Sequence, residues 1–208
     1  MKELSDREMF VETWLSEMPM GTPSTELYGQ LIMIIMDWKN TGLAIVKHEK
    51  NMYSIKGAST ALYWIEDNDG VITLGTELKI KPQAFVVSFT AKNPSYKGKP
   101  PYASDLYGFI LADSEMSLRI MSDEVLSDEG YAIWKKLLSQ GHKVSVYDSE
   151  APGHSFKTFE SPIEMDEFFK HGDRAYSRYQ YVLSEGKMYP DTMGHFGTRR
   201  MREHAGIL

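Results

Sequence analysis

Asp67 or Asp69, followed by Glu77-Leu78-Lys79, has the spacing of a metal-dependent nuclease centre, in which two carboxylates hold a magnesium ion and a lysine lies beside the scissile phosphate. The same acids sit in Glu66-Asp67-Asn68-Asp69-Gly70, and Asn-Asp-Gly is turn chemistry, so a hairpin accounts for them without a metal. Six histidines, at 48, 142, 154, 171, 195 and 204, show neither HxxxH nor HxH spacing, which argues against a dedicated metal site. His154, in Ala-Pro-Gly-His-Ser-Phe, is the hardest of them to assign to packing. No serine stands in a GxSxG elbow, so a hydrolase triad has no support. In RAYSRYQY at 174–181 aromatic and basic residues interleave, a texture able to stack and clamp single-stranded bases. Tyr176, Tyr179 and Tyr181 alternating with Arg174 and Arg178 also describe a half-buried edge strand, and the charge of the chain favours that reading.

That charge is −6, from 23 basic and 29 acidic residues, which speaks against a surface built to hold nucleic acid phosphates. Without a single cysteine, disulfides, a thiolate nucleophile and cysteine-ligated zinc are all excluded, and a reducing compartment fits. The first residues lack a signal-type apolar stretch, and the longest apolar run, Leu31 to Met36, is far short of the ~20 residues needed to span a bilayer. Secretion and membrane insertion are therefore not expected, and the cytoplasm is the expected location. At 208 residues with 42% hydrophobic and 12% aromatic content, one domain with one sizeable core is the default. Its expected span is 1–186, leaving a basic tail at 187–208 that carries Lys187, Arg199, Arg200 and Arg202 against Asp191 and Glu203.

The elements that must position any site follow from periodicity. Ser5 and Glu8 form a capping box before Phe10, Val11, Trp14, Leu15 and Met18, which predicts a helix over 5–18. A second helix over 24–41 is apolar nearly all round, which predicts burial, and Gly42 ends it. Alternating β-branched and aromatic residues predict strands at 43–48, 51–56, 60–66, 71–79 and 84–91, forming an antiparallel meander. Prolines at 100 and 101 sit in the first turn of a helix over 101–112, and a strand at Leu118–Met121 follows. Ser127, with Asp128 and Glu129 behind it, caps a helix that runs to 140 before Gly141. Strand 142–147, a short helix opened by Ser161, Pro162 and Glu164, and a last strand at 178–185 complete the pattern. Phe85, Val87, Phe109, Ile110, Trp134 and Leu137 lie on the apolar phases and are the expected core. On the same alternation Glu77 and Lys79 fall on an exposed strand face.

The segment AFVVSFTAKNPSYKGKPPYASDLYGFIL, followed by SDEGYAIWKKLLSQGHKVSVYD, resembles the GNAT superfamily of acyl-CoA N-acyltransferases over about residues 60–148. The resemblance implies an α/β (α+β) fold, a mixed and mainly antiparallel sheet flanked by helices. In it a central strand splays from its neighbour and runs into a glycine turn that opens a helix. It further implies acetyl-CoA as cofactor, its pyrophosphate held at that helix N-terminus. The matching positions are Val87 and Phe89 on the strand, Lys97, Gly98 and Lys99 in the turn, and the amides of Tyr102, Ala103 and Ser104 at the helix start. Where the family's turn has its second glycine, this chain has Pro100 and Pro101, which carry no N–H, so Lys97 and Lys99 would supply more of the attraction. Within this resemblance Glu77 is the candidate general base and Tyr131 the candidate acid for the leaving thiolate.

The function implied is acyl transfer from acyl-CoA to an amine, either a small molecule or a protein amine. The sequence also resembles proteins carried by tailed phages, which implies a host cytoplasm or a virion and gives the alternative: a non-catalytic protein of this fold that serves as a virion component or binds a host protein. Sheet edges of such a fold make a homodimer the assembly to look for.

Overall fold

The computed structural model describes residues 24–82, 84–113, 119–123, 126–148, 150, 156–169 and 178–184. The segment expected as a helix at 5–18, His154, Arg174, Tyr176 and the basic tail lie outside the described residues.

Helix α1 (Ser24–Lys39) precedes five strands, β1 (Ile45–Lys47), β2 (Met52–Lys56), β3 (Thr60–Glu66), β4 (Ile72–Lys81) and β5 (Ala84–Lys92), each antiparallel to the next. Helix α2 (Ala103–Asp113) then leads to β6 (Arg119–Met121), helix α3 (Asp128–Ser139), β7 (Lys143–Asp148), β8 (Phe156–Thr158), a 3-10 turn at Glu164–Phe168 and β9 (Tyr179–Ser184). The described strands make one sheet in the order β1-β2-β3-β4-β5-β6-β9-β7-β8, in which only the β5–β6 pair is parallel. The expected class, a mixed and mainly antiparallel sheet flanked by helices with β5 central, is the one present.

Local chemistry explains the joints. Asp67 Oδ1 accepts the amides of Asp69 and Val71, both at 2.9 Å, which closes the β3–β4 hairpin as turn chemistry predicts. Ser127 Oγ accepts the Gly130 amide at 3.1 Å to cap α3. Gly141, at φ +86°, turns the chain out of it in a conformation that side chains rarely adopt.

Each sheet face buries its own cluster. On one face Leu31, Ile34 and Ile35 of α1 pack on Ile55, Leu62, Trp64, Phe89 and Ala91. On the other, Leu106 and Ile110 of α2 and Trp134 and Leu137 of α3 pack on Tyr63, Leu78, Phe85, Val87, Val144 and Tyr181. At ~1.5–3 kcal/mol for each fully buried large side chain, these two layers are what holds the helices on the sheet. Of the expected core, Phe85, Val87, Ile110, Trp134 and Leu137 are buried, while Phe109 is half-buried against the same cluster.

Two expectations are corrected. Helix α1 is not buried all round: Met33 and Met36 are 59% and 53% exposed, because the helix lies on a single sheet face and only one stripe meets it. The last strand is not an edge, since β9 sits between β6 and β7, and its Tyr181 is buried against Trp134 with the hydroxyl on Met165 O at 3.2 Å. The edge on that side is β8, whose three exposed residues carry no alternation to read.

Candidate functional site

The parallel β5–β6 pairing runs from Ala84–Arg119 to Val86–Met121 and stops. Strand β5 continues to Lys92, paired on its other side with β4, so from Val87 onward no described strand pairs with its second edge. The sheet opens there. At the same point β5 carries a bulge: Glu77 faces Phe89 and Leu78 faces Val87, leaving Ser88 as the extra residue. Phe85 and Val87 therefore face α2 and α3, whereas Phe89 and Ala91 face α1. Ser88 Oγ is buried, with no hydrogen-bond partner among the described residues.

Beyond β5, Asn93 Oδ1 accepts the Ser95 amide at 3.0 Å and caps a 3-10 turn at Pro94–Tyr96. Tyr96 donates its hydroxyl to Asp67 Oδ2 at 2.7 Å, which ties this turn to the β3–β4 hairpin. Gly98 follows at φ +74°, between Lys97 and Lys99. Two further lysines converge here that sequence reasoning missed. Lys92 Nζ donates to the carbonyls of Lys99 and Pro101 and lies 4.9 Å from the Tyr102 ring centroid; Lys136 Nζ, from α3, lies 3.5 Å from the same centroid. Burial, and then the nearby Lys136 charge, hold the Lys92 ammonium below the usual lysine range. No local pattern marks either residue, since they stand 44 positions apart in the sequence and meet only through the fold.

The helix start differs from expectation in one donor. Tyr102 N–H is taken by Asp105 Oδ2 at 3.2 Å, the ordinary way a first-turn carboxylate caps a helix. The amides of Ala103 and Ser104 remain without acceptors among the described residues, and so does Ser104 Oγ, on a residue only 1% exposed. The start of α2 thus carries two amides without acceptors among the described residues, preceded in the chain by Lys97 and Lys99, with Pro100 and Pro101 contributing no N–H.

Glu77 departs from its expected exposed face: it is 5% exposed. It shares the α1 side of β4 with Gly75, where an added Cβ would stand 2.9 Å from Leu31 Cδ2, so the helix covers this row of the sheet. Lys79 is half-buried. Tyr131 lies on the opposite face, in the α2–α3 cluster, so the fold does not bring the two candidate catalytic groups together on one side. Its hydroxyl donates to Asp166 Oδ1 at 2.6 Å, Lys135 Nζ donates to the same oxygen at 2.9 Å, and its ring stacks on Phe169 at 4.0 Å. Burial first, and the Asp166 bond next, push the Tyr131 hydroxyl well above the usual tyrosine range, so its proton is firmly held.

Among the described residues no group of three or more His, Asp or Glu could hold a metal, and no helix is long and apolar enough to cross a membrane. No family model matches the sequence, and no curated protein matches it significantly. Among solved structures the chain is similar to one assigned to the GNAT acetyltransferase family from Bacteroides thetaiotaomicron. The two share 11% identity, with 82% of this chain and 89% of that one covered at a TM-score of 0.36. At that TM-score the superposition carries no weight of its own, and the architecture rests on the strand order given above.

Proposed function

We propose that this protein binds acyl-CoA at the opening between β5 and β6 and transfers the acyl group to an amine. The observation that carries this reading is the β5 edge from Val87 to Lys92, which no described strand pairs, leading through the Lys97–Lys99 turn to the start of α2, where Lys92 and Lys136 meet over Tyr102. An extended ligand with amide groups can pair along such an edge, and its phosphates would then reach the Ala103 and Ser104 amides, Ser104 Oγ, Lys97 and Lys99. Acyl-CoA would supply an activated thioester: the amine nitrogen bonds to the carbonyl carbon, the C–S bond breaks, and the thiolate takes up a proton as the amine loses one. Glu77, buried on the α1 side of β4, would accept the amine proton in this reading, directly or through water.

A second reading, a non-catalytic protein of the same architecture that binds a host or virion partner, is favoured by two features. Pro100 and Pro101 remove donors from the turn, and the Tyr131 proton is committed to Asp166. Calorimetry with acetyl-CoA decides between them. The transferase reading expects binding that weakens as salt rises, because exposed lysine charges are screened over ~8 Å at physiological ionic strength. Lys97→Glu with Lys99→Glu should abolish it. No binding at low salt would overturn the enzyme and leave the partner-binding reading.

A further inference from the structure

Helix α1 carries one polar side chain that is fully buried. Gln30 is 2% exposed, and neither its Oε1 nor its Nε2 has a hydrogen-bond partner among the described residues. A buried primary amide without partners is costly, so its presence calls for an explanation. Its position follows from helix geometry. Tyr28 donates to Ile72 O at 2.7 Å and receives Asn93 Nδ2 at 3.1 Å, and Lys39 reaches Glu66 at 3.5 Å, so that flank of α1 faces the end of the sheet where β4 begins and β5 ends. Leu31 lies over Gly75. At 100° per residue Gln30 occupies the flank opposite Tyr28, which directs it down β4 and β5 toward Glu77 and the Ser88 bulge. The second orphaned hydroxyl, Ser88 Oγ, stands at that bulge.

We infer that Gln30 and Ser88 form the recognition end of the acyl-acceptor site, and that the acceptor is a small amine carrying hydrogen-bonding oxygen close to its nitrogen, of the amino alcohol, amino sugar or amino acid amide kind. This rests on the acyl-transfer reading. The chemistry of the two groups selects the class. A primary amide presents a donor and an acceptor at once, and a hydroxyl can play either role. The tip of a protein lysine offers donors only, with methylenes behind it, so it would leave Gln30 Nε2 unsatisfied. An amine with a neighbouring hydroxyl or carbonyl satisfies both ends, and a site built for such a group discriminates strongly against an analogue lacking it. The burial of both groups favours a small ligand over a peptide segment.

The test measures amine binding by calorimetry, on the free protein and with coenzyme A present, using glucosamine and serinamide against n-butylamine and Nα-acetyl-lysine amide. One of the first pair should bind at least about tenfold tighter than both of the second, a gap of ~1.4 kcal/mol. Gln30→Met should erase that preference, leave coenzyme A binding unchanged and raise the melting temperature of the unliganded protein; Ser88→Ala should weaken the preference without unfolding the chain. Equal binding of n-butylamine, a preference untouched by Gln30→Met, or binding of none of the four would each overturn the inference. If coenzyme A fails to bind while the preference appears and is lost in Gln30→Met, the acyl-transfer reading falls and Gln30 stands as part of an amine site of another kind.

Discussion

On the side of the sheet covered by α2 and α3 the hydroxyl groups are joined end to end. Thr76 Oγ1 donates to Phe89 O at 2.9 Å and contacts Thr90 Oγ1 at 2.8 Å, Thr90 Oγ1 contacts Tyr107 Oη at 2.7 Å, and Tyr131 and Tyr181 each donate to a residue of the 3-10 turn that follows β8. Gln30 on α1 and Ser88 at the β5 bulge keep buried polar atoms with no partner among the described residues, and Glu77, a buried carboxylate on the α1 side of β4, pairs with Phe89 next to that bulge. A buried polar group that is satisfied stabilises and specifies packing, whereas one that is not costs free energy until something binds it. The α2–α3 face is thus knit together by satisfied hydroxyls, whereas Gln30 and Ser88 keep polar atoms that a ligand would satisfy under the reading proposed above. Ser104, at the start of α2, is the exception on the α2–α3 face, its buried Oγ having no partner among the described residues.

The largest effect expected is on the scaffold side. Trp134→Ala removes a fully buried side chain and should lower stability by about 3–5 kcal/mol in urea denaturation, since the hole is ringed by Tyr107 and Tyr181 and cannot easily collapse. On the α1 face the probe is Gly75→Ala: its Cβ would meet Leu31 Cδ2 at 2.9 Å and Tyr63 O at 3.1 Å, so α1 must lift, at a cost of about 1–3 kcal/mol. Tyr107→Phe should cost about 1 kcal/mol, because Thr90 keeps its contact with Thr76. Gln30→Met is the sharpest test of the contrast, with an expected gain of about 1 kcal/mol where an equivalent change on the other face loses stability. A loss there would show that the two faces are built alike. Lys97→Glu with Lys99→Glu should change the unliganded stability by no more than about 0.5 kcal/mol, so any loss of acyl-CoA binding in that variant reports on the site.

The elements were legible wherever a pattern was local. The existence and order of β2 to β5, the Ser127 cap and the apolar phase of α3 each rest on patterns within a dozen residues and are found in the structure. What escaped depends on partners far along the chain. Glu77 reads as exposed on strand alternation because nothing near it in sequence says that α1 lies above; its burial is decided by a helix about 40 residues earlier. Lys92 and Lys136 meet over Tyr102 through three separate elements, and Tyr131 finds Asp166 across 35 residues. Gln30 did leave a trace, a lone amide in the run from Leu27 to Met36, but an apolar helix with one polar residue ordinarily turns that residue to water.

The bulge in β5 has a consequence for how such a chain can change over generations. Odd-numbered residues face α2 and α3 before Ser88, and even-numbered ones do so after it. Deleting Ser88 would restore one unbroken alternation and leave Phe85, Val87, Phe89 and Thr90 on the sides they already occupy. Loss of a single neighbour, Val87 for example, would push a serine into the hydrophobic layer. Ser88 is therefore a position at which one deletion can remove a polar group at the bulge and spare the core, so that lineages sharing this scaffold could gain or lose that group in a single event without passing through an unfolded ancestor.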